Sequence, residues 1–163
     1  MKCTAVLTCE KIIIDKEGAH SIINVMLNAE IVIQKIEASQ SPKQMAVPHD
    51  AVAPIVWWVY TVWHPSPEDA GKAFDQVYQA YWPNGDKFME SRLSFVLKDE
   101  GPMQTTFHIG GLPAGQVGKL KVLMWLDRWI IKDTASREIN EAYINIKHRP
   151  TVSADTPIIA YIT

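Results

Sequence analysis

Apolar residues along this chain recur with a period of two, in short runs that end at Gly, Pro, Asn or Asp. That period marks strands with one buried face. The run Ile55-Val56-Trp57-Trp58-Val59-Tyr60-Thr61-Val62-Trp63 is β-branched or aromatic at every position, which predicts a central strand covered on both faces. Residues 3–14 read as a first strand, with Ala5, Leu7 and Cys9 on one face and Val6 on the other. The pattern shifts at Cys9-Glu10-Lys11, and a bulge near Glu10 would account for the shift. Asp15-Lys16-Glu17-Gly18 predicts a tight turn with Gly18 at positive φ. The return strand runs from Ala19 to Met26, and pairing is expected to continue through Leu27 to Ile36.

Residues 37–50 contain Pro42 and Pro48, lack apolar repetition and read as a loop. His64-Pro65-Ser66-Pro67-Glu68-Asp69 ends the Trp-rich strand. Ser66 as N-cap, Pro67 as first helical residue and two following acids predict a helical start. Gly71 limits it to about one turn. Residues 73–82 fit two patterns. Phe74, Val77, Tyr78 and Tyr81 have helical spacing, while Phe74, Tyr78 and Trp82 share one strand face. The aromatic content and the Pro83-Asn84-Gly85-Asp86 turn favour a strand that hairpins into Lys87–Leu97. Further strands are expected at Met103–Ile109, Lys119–Ile131 and Ile139–His148, with Gly110 to Gly115 as a flexible connection between the first two. Ile158 to Ile162 offers an added edge strand for this copy or another.

These elements predict an all-β fold: a two-sheet, Ig-like β-sandwich of eight or nine strands with a short helical turn near residues 67–72. Residues 1–149 form the sandwich, and residues 150–163 a C-terminal tail or edge strand. At 163 residues the chain is long enough to bury a core without disulfide or metal. Cys3 and Cys9 would lie about 20 Å apart on one strand, too far for a disulfide, so both read as small buried apolar residues.

Charge is spread evenly. Residues 1–50 carry five Lys/Arg against six Asp/Glu, residues 51–100 four against seven, and residues 101–163 seven against five. No segment has the basic excess that phosphate contacts need, so nucleic acid is not an expected partner. The segment before Cys9 has too few apolar residues for a signal peptide, and no run of 18 apolar residues exists. The expectation is a cytoplasmic protein, bacterial or from a phage, with no membrane contact.

At Cys9-Glu10, followed by Gly18 and then Ser21-Ile22-Ile23-Asn24-Val25, the N-terminal hairpin resembles an uncharacterised bacterial family of small β-sandwich proteins. Members of that family open with a Cys-acidic pair, a Gly turn and a Ser-aliphatic-aliphatic-(Gly or Asn)-aliphatic strand. Gly118-Lys119-Leu120-Lys121-Val122-Leu123-Met124-Trp125-Leu126-Asp127 is similar to the final hairpin of the same family and of Ig-like sandwiches. Here Asn24 stands where the family usually has Gly, and Leu120 where an aromatic is usual. The resemblance implies a sandwich fold and no activity.

No metal-ligand spacing joins His20, His49, His64, His108 and His148, and no serine-nucleophile motif is present. Gly110-Gly111 joins strands instead of opening a helix, which argues against a phosphate cradle. Neither cofactor nor metal is expected. Glu68-Asp69 and Asp99-Glu100 read as capping and turn residues. The aromatic residues carry the functional lead. Trp57 and Trp63 share one face of their strand, Trp58 and Tyr60 the other. One set belongs in the core; the second forms a platform of the kind that stacks on a ligand or anchors an interface. The candidate binding residues are Trp58, Tyr60, Trp82, Trp125 and Trp129, with Arg128 and His108 as polar companions. Three functions compete: a non-catalytic binding or assembly module, most simply a homo-oligomer; a protein that sequesters a small molecule such as a sugar or nucleotide signal; and a hydrolase with an unrecognised site.

Overall fold

A computed structural model describes residues 1–34, 48–97, 101–128, 138–151 and 160–162. The strands are β1 (Lys2–Ile14), β2 (His20–Val25), β3 (Asn28–Gln34), β4 (Val52–His64), β5 (Ala73–Tyr81), β6 (Lys87–Val96), β7 (Met103–Pro113), β8 (Gly118–Arg128), β9 (Asn140–Thr151) and β10 (Ala160–Ile162). They form a four-stranded sheet in the order β2-β1-β4-β7 and a six-stranded sheet in the order β10-β3-β9-β8-β5-β6. The fold is an all-β sandwich. The ambiguous segment after Lys72 is a strand, and β5 hairpins into β6.

The core is built by alternation. Trp57 and Val59 of β4 pack in one cluster with Tyr78 and Ala80 of β5, Leu120, Val122 and Met124 of β8 and Ile144 and Ile146 of β9, and Trp63 and Phe74 are buried as well. Each large side chain so buried contributes about 1.5–3 kcal/mol. The Tyr78 ring stacks on Phe107 across the two sheets, with centroids 4.8 Å apart. A polar knot sits within this core. Gln76 Nε2 donates to Thr61 Oγ1 at 2.9 Å, Thr105 Oγ1 donates to Gln76 Oε1 at 2.7 Å, and the Thr61 and Thr105 hydroxyls hydrogen-bond each other. Tyr78 OH lies 3.3 Å from Thr105 Oγ1. Burial pushes the Tyr78 phenol above its ordinary pKa.

Several local expectations are corrected. The chain does not continue its first hairpin after Met26. Met26 N donates to Thr8 O at 2.7 Å, Thr8 Oγ1 donates to Met26 O at 2.6 Å, and β3 then crosses to the other sheet. There it pairs parallel with β9, from Asn28↔Asn145 to Gln34↔Thr151. Alternating Ala29 and Ile31 specify a buried face and not which sheet supplies it. Lys35 and Ile36, most of the segment expected as a loop at 37–50, residues 98–100, and residues 129–137, which include the end of the expected Lys119–Ile131 strand, lie outside the described residues. β4 starts at Val52, because its register against β7 shifts between Ala53 and Val56 and so accommodates Pro54. Gly110-Gly111 is not a flexible connection: β7 runs through both to Pro113. The chain's own β10 provides the C-terminal edge strand, pairing antiparallel with β3 through Ala160↔Ile31.

The helical turn is a 3-10 turn at Pro67–Asp69, short because the chain must re-enter β5 at Ala73. Asp69 is fully buried there. Burial raises its pKa, but the Met1 amino group at 2.7 Å and the Ser66 N–H at 3.0 Å outweigh that and bring the carboxyl down to about 2. The sign follows from linkage. A depressed folded-state pKa contributes stability above the unfolded value of 3.8, and that contribution is lost as pH falls toward 2. Its size is on the order of 2 kcal/mol. Urea unfolding should therefore show wild-type stability falling steadily in this acid window. Asp69→Asn should start less stable at neutral pH and show a flatter acid profile; equal slopes would refute the assignment.

Candidate functional site

The face of the four-stranded sheet that points away from the core is built by the alternate residues of β4. Trp58, Tyr60 and Val62 stand on it, opposite the inward Trp57, Val59 and Trp63. Cross-strand pairing sets their neighbours. Trp58 lies between Cys9 of β1 and His108 of β7, and Tyr60 between Leu7 and Thr106. The Trp58 and His108 rings are tilted at 5.3 Å between centroids. Three of the candidate residues, Trp58, Tyr60 and His108, are thus brought together.

The platform is not bare. Tyr60 is only 8% exposed and Trp58 is half-buried. Their cover is the first hairpin. Cys9, Ile12 and Tyr60 form a second buried cluster, with Leu7, Ile22, Trp58 and Val62 packed against it. The His20 ring meets Tyr60 edge-on at 5.7 Å. An ordinary straight hairpin cannot make that contact. Tyr60 is level with Leu7 and His20 with Ile14, so seven residues of extended strand would hold them about 23 Å apart. The hairpin must therefore bend back across the sheet.

Local geometry places the bend. Pairing of β1 with β4 ends at Cys9↔Trp58, while pairing with β2 continues from Lys11↔Ile23 to Ile14↔His20. Between these segments, Asn24 adopts φ 49, in the left-handed region. Its Nδ2 donates to Glu10 Oε2 at 2.7 Å. The expected bulge near Glu10 is thus corrected to a bend: the β1–β2 register is unchanged across it, and the register shift of β1 falls between Cys3 and Ala5. At the far end of the hairpin, Asp15 Oδ1 accepts from the Glu17 and Ala19 N–H groups, and Gly18 has φ 83, as the turn signal required.

Electrostatically the covered face is apolar. Burial pushes the Cys9 thiol up to about 11 and raises the Tyr60 phenol, so both stay protonated at neutral pH. Cys3 and Cys9 are free thiols. Among the described residues, no three His, Cys, Asp or Glu side chains converge as metal ligands do. No helix among them is long and apolar enough to cross a membrane.

The remaining candidates lie elsewhere. Trp82 packs edge-on against Phe88 at 5.7 Å beside the β5–β6 turn. Trp125 stands on the outer face of the other sheet, paired with Val77 and 7% exposed. Arg128 ends β8, with its backbone opposite Phe74. Trp129 lies outside the described residues. A cleft of about 220 Å³ between β1 and the start of β9 is lined by Cys3, Thr4, Ala5, Val6, Asn140 and Glu141, and shares none of the platform residues. Sequence reasoning missed His20, Ile12 and Ile22 as part of the site. The signal was present in Ile12-Ile13-Ile14 and Ile22-Ile23, where both faces of a two-stranded hairpin are apolar. No family model matches the chain, and no curated protein is detectably similar to it.

Proposed function

We propose that this protein is a non-catalytic assembly module that associates with its own copies through the first hairpin and the aromatic face beneath it. The observation that carries this reading is where the exposed aliphatic groups lie. Of the twelve large apolar side chains exposed among the described residues, five fall between residues 13 and 27: Ile13, Ile14, Ile23, Val25 and Leu27. Scattered apolar residues are ordinary on a surface, but Ile13 and Ile23 share one face of the hairpin, and exposed apolar side chains gathered on one element are what an interaction site presents.

Both edges of the four-stranded sheet, β2 and β7, lack charged side chains, and β7 differs in ending on Pro113. The β6 edge is guarded by Lys87, Glu90 and Arg92, charges of the kind that keep a sheet edge from pairing with another chain. The β2 edge, His20-Ser21-Ile22-Ile23-Asn24-Val25, carries no carboxylate, lysine or arginine and no proline. It can pair with a second copy without opposing like charges. The bend also supports kinship with the small β-sandwich family that the hairpin resembles: φ 49 at Asn24 is a state Gly adopts freely, and Gly is the usual residue there.

Light scattering at rising protein concentration tests the reading. The wild type should form a dimer or larger assembly. Ile23→Asp, at a side chain already 38% exposed, should weaken association at least ~tenfold, the equivalent of losing one buried aliphatic anchor. Its melting temperature should stay near that of the wild type. A wild-type protein that remains monomeric would defeat the proposal.

A further inference from the structure

We propose that the hairpin is an exchangeable arm: in the assembled form, residues 11–23 of each copy swing out at Glu10 and Asn24 and lie on the partner's aromatic face, against the Trp58, Tyr60 and Val62 of that second copy. This rests on the assembly reading above and specifies which surfaces meet. The occupant follows from the molecule itself. The surface that Trp58, Tyr60 and Val62 present is already covered by Ile12, Ile22 and His20 of the same chain. A second copy brings the same side chains, so exchange requires no new complementarity.

Three features make the hairpin detachable. First, residues 10–14 of β1 pair with β2 and not with β4, so the arm is a two-stranded ribbon joined to the body only at Glu10 and Asn24. A two-stranded ribbon is marginal by itself and depends on the surface it covers. Second, the bend holds a non-glycine residue at φ 49. Straightening the hinge returns Asn24 to extended backbone and removes that cost. The hydrogen bond it breaks, Asn24 Nδ2 to Glu10 Oε2, is exposed to water and readily replaced. Third, Ile13, Ile14 and Ile23 stay in contact with water when the arm is folded onto its own sheet. Exchange brings the two hinges together at a twofold axis and places Ile23, next to each hinge, against its counterpart in the second copy.

Two measurements test the exchange. The first is the monomer–dimer balance of Asn24→Gly, wild type and Asn24→Val. Gly accepts the bend and Val resists it, so the dimer share should rise in that order, by about fivefold per hinge between the wild type and Asn24→Val. The second mixes a size-tagged chain carrying His20→Cys with an untagged chain carrying Tyr60→Cys, refolds them together and adds a short bis-maleimide. Chains with only the buried native Cys3 and Cys9 serve as the control. Exchange predicts a cross-link between chains of different size, absent from the control. A dimer without this cross-link, in which a His20→Cys/Tyr60→Cys double variant links only within one chain, overturns the exchange and leaves assembly standing. Monomers throughout, in all three Asn24 forms, overturn both.

Discussion

Trp57→Ala is expected to cost about 3–5 kcal/mol, whereas Trp58→Ala next to it should cost roughly a third as much. Adjacent residues of one strand point to opposite faces, and the two faces here differ in depth. Trp57 is fully buried in the main core, while Trp58 is half-buried on the outer face. Trp57 also does more than fill space. Its Nε1 donates to Gly111 O at 3.0 Å, at the place where β7 departs from regular pairing with β4. Gly111 has φ 91, and a Cβ there would come within 2.5 Å of Val52 Cγ1. Truncation therefore opens a cavity and leaves the Gly111 carbonyl without its indole donor. Most domains of this size are stable by roughly 5–15 kcal/mol, so Trp57→Ala should remove a large share of the total. Trp57→Phe, which keeps apolar bulk and loses the hydrogen bond, should fall between. Denaturant midpoints for the three variants decide the matter: equal losses at 57 and 58 would contradict the assignment of faces.

Gln76→Leu is expected to destabilise by roughly 2–3 kcal/mol, although leucine is the more hydrophobic residue. Gln76 is fully buried and holds both ends of its amide in use, donating to Thr61 and accepting from Thr105. Leucine fills similar volume but strips the two hydroxyls of a partner in a buried core, where each lost hydrogen bond is costly. The double variant Gln76→Leu/Thr105→Val removes one of those stranded hydroxyls and should recover part of the loss. A double-mutant cycle measures this directly. Additive losses would mean that the knot contributes nothing as a unit. Since Thr61 and Thr105 belong to one sheet and Gln76 to the other, the knot also ties the two layers in one relative position.

Much of the fold was legible in the order of residues alone. The period-two pattern and turn chemistry located nearly every strand, and Ser66-Pro67 located the one helical turn among the described residues. At residues 73–82 the aromatic content decided between two periodicities, because bulky flat side chains pack well on a pleated surface. The site was legible in part. Alternation on β4 separated Trp57 and Trp63 from Trp58 and Tyr60 and so identified the second face. Its cover was not legible. Ile12 and Cys9 sit three residues apart on a strand, which regular alternation places on opposite faces, yet they share one cluster. Only the bend reconciles them, and its sole local mark is Asn24, a residue found in many ordinary turns.

The succession of apolar and polar residues thus determined by itself that this chain forms two layers of strands around indole and branched aliphatic groups, since side-chain direction along a strand is a local property of the backbone. Which strand joins which sheet, the parallel pairing of β3 with β9, the polar knot and the hairpin folded over Tyr60 were decided only in three dimensions. Each depends on contacts between residues far apart in the chain, whose energies become available once the layers have closed and no shorter stretch of sequence contains them.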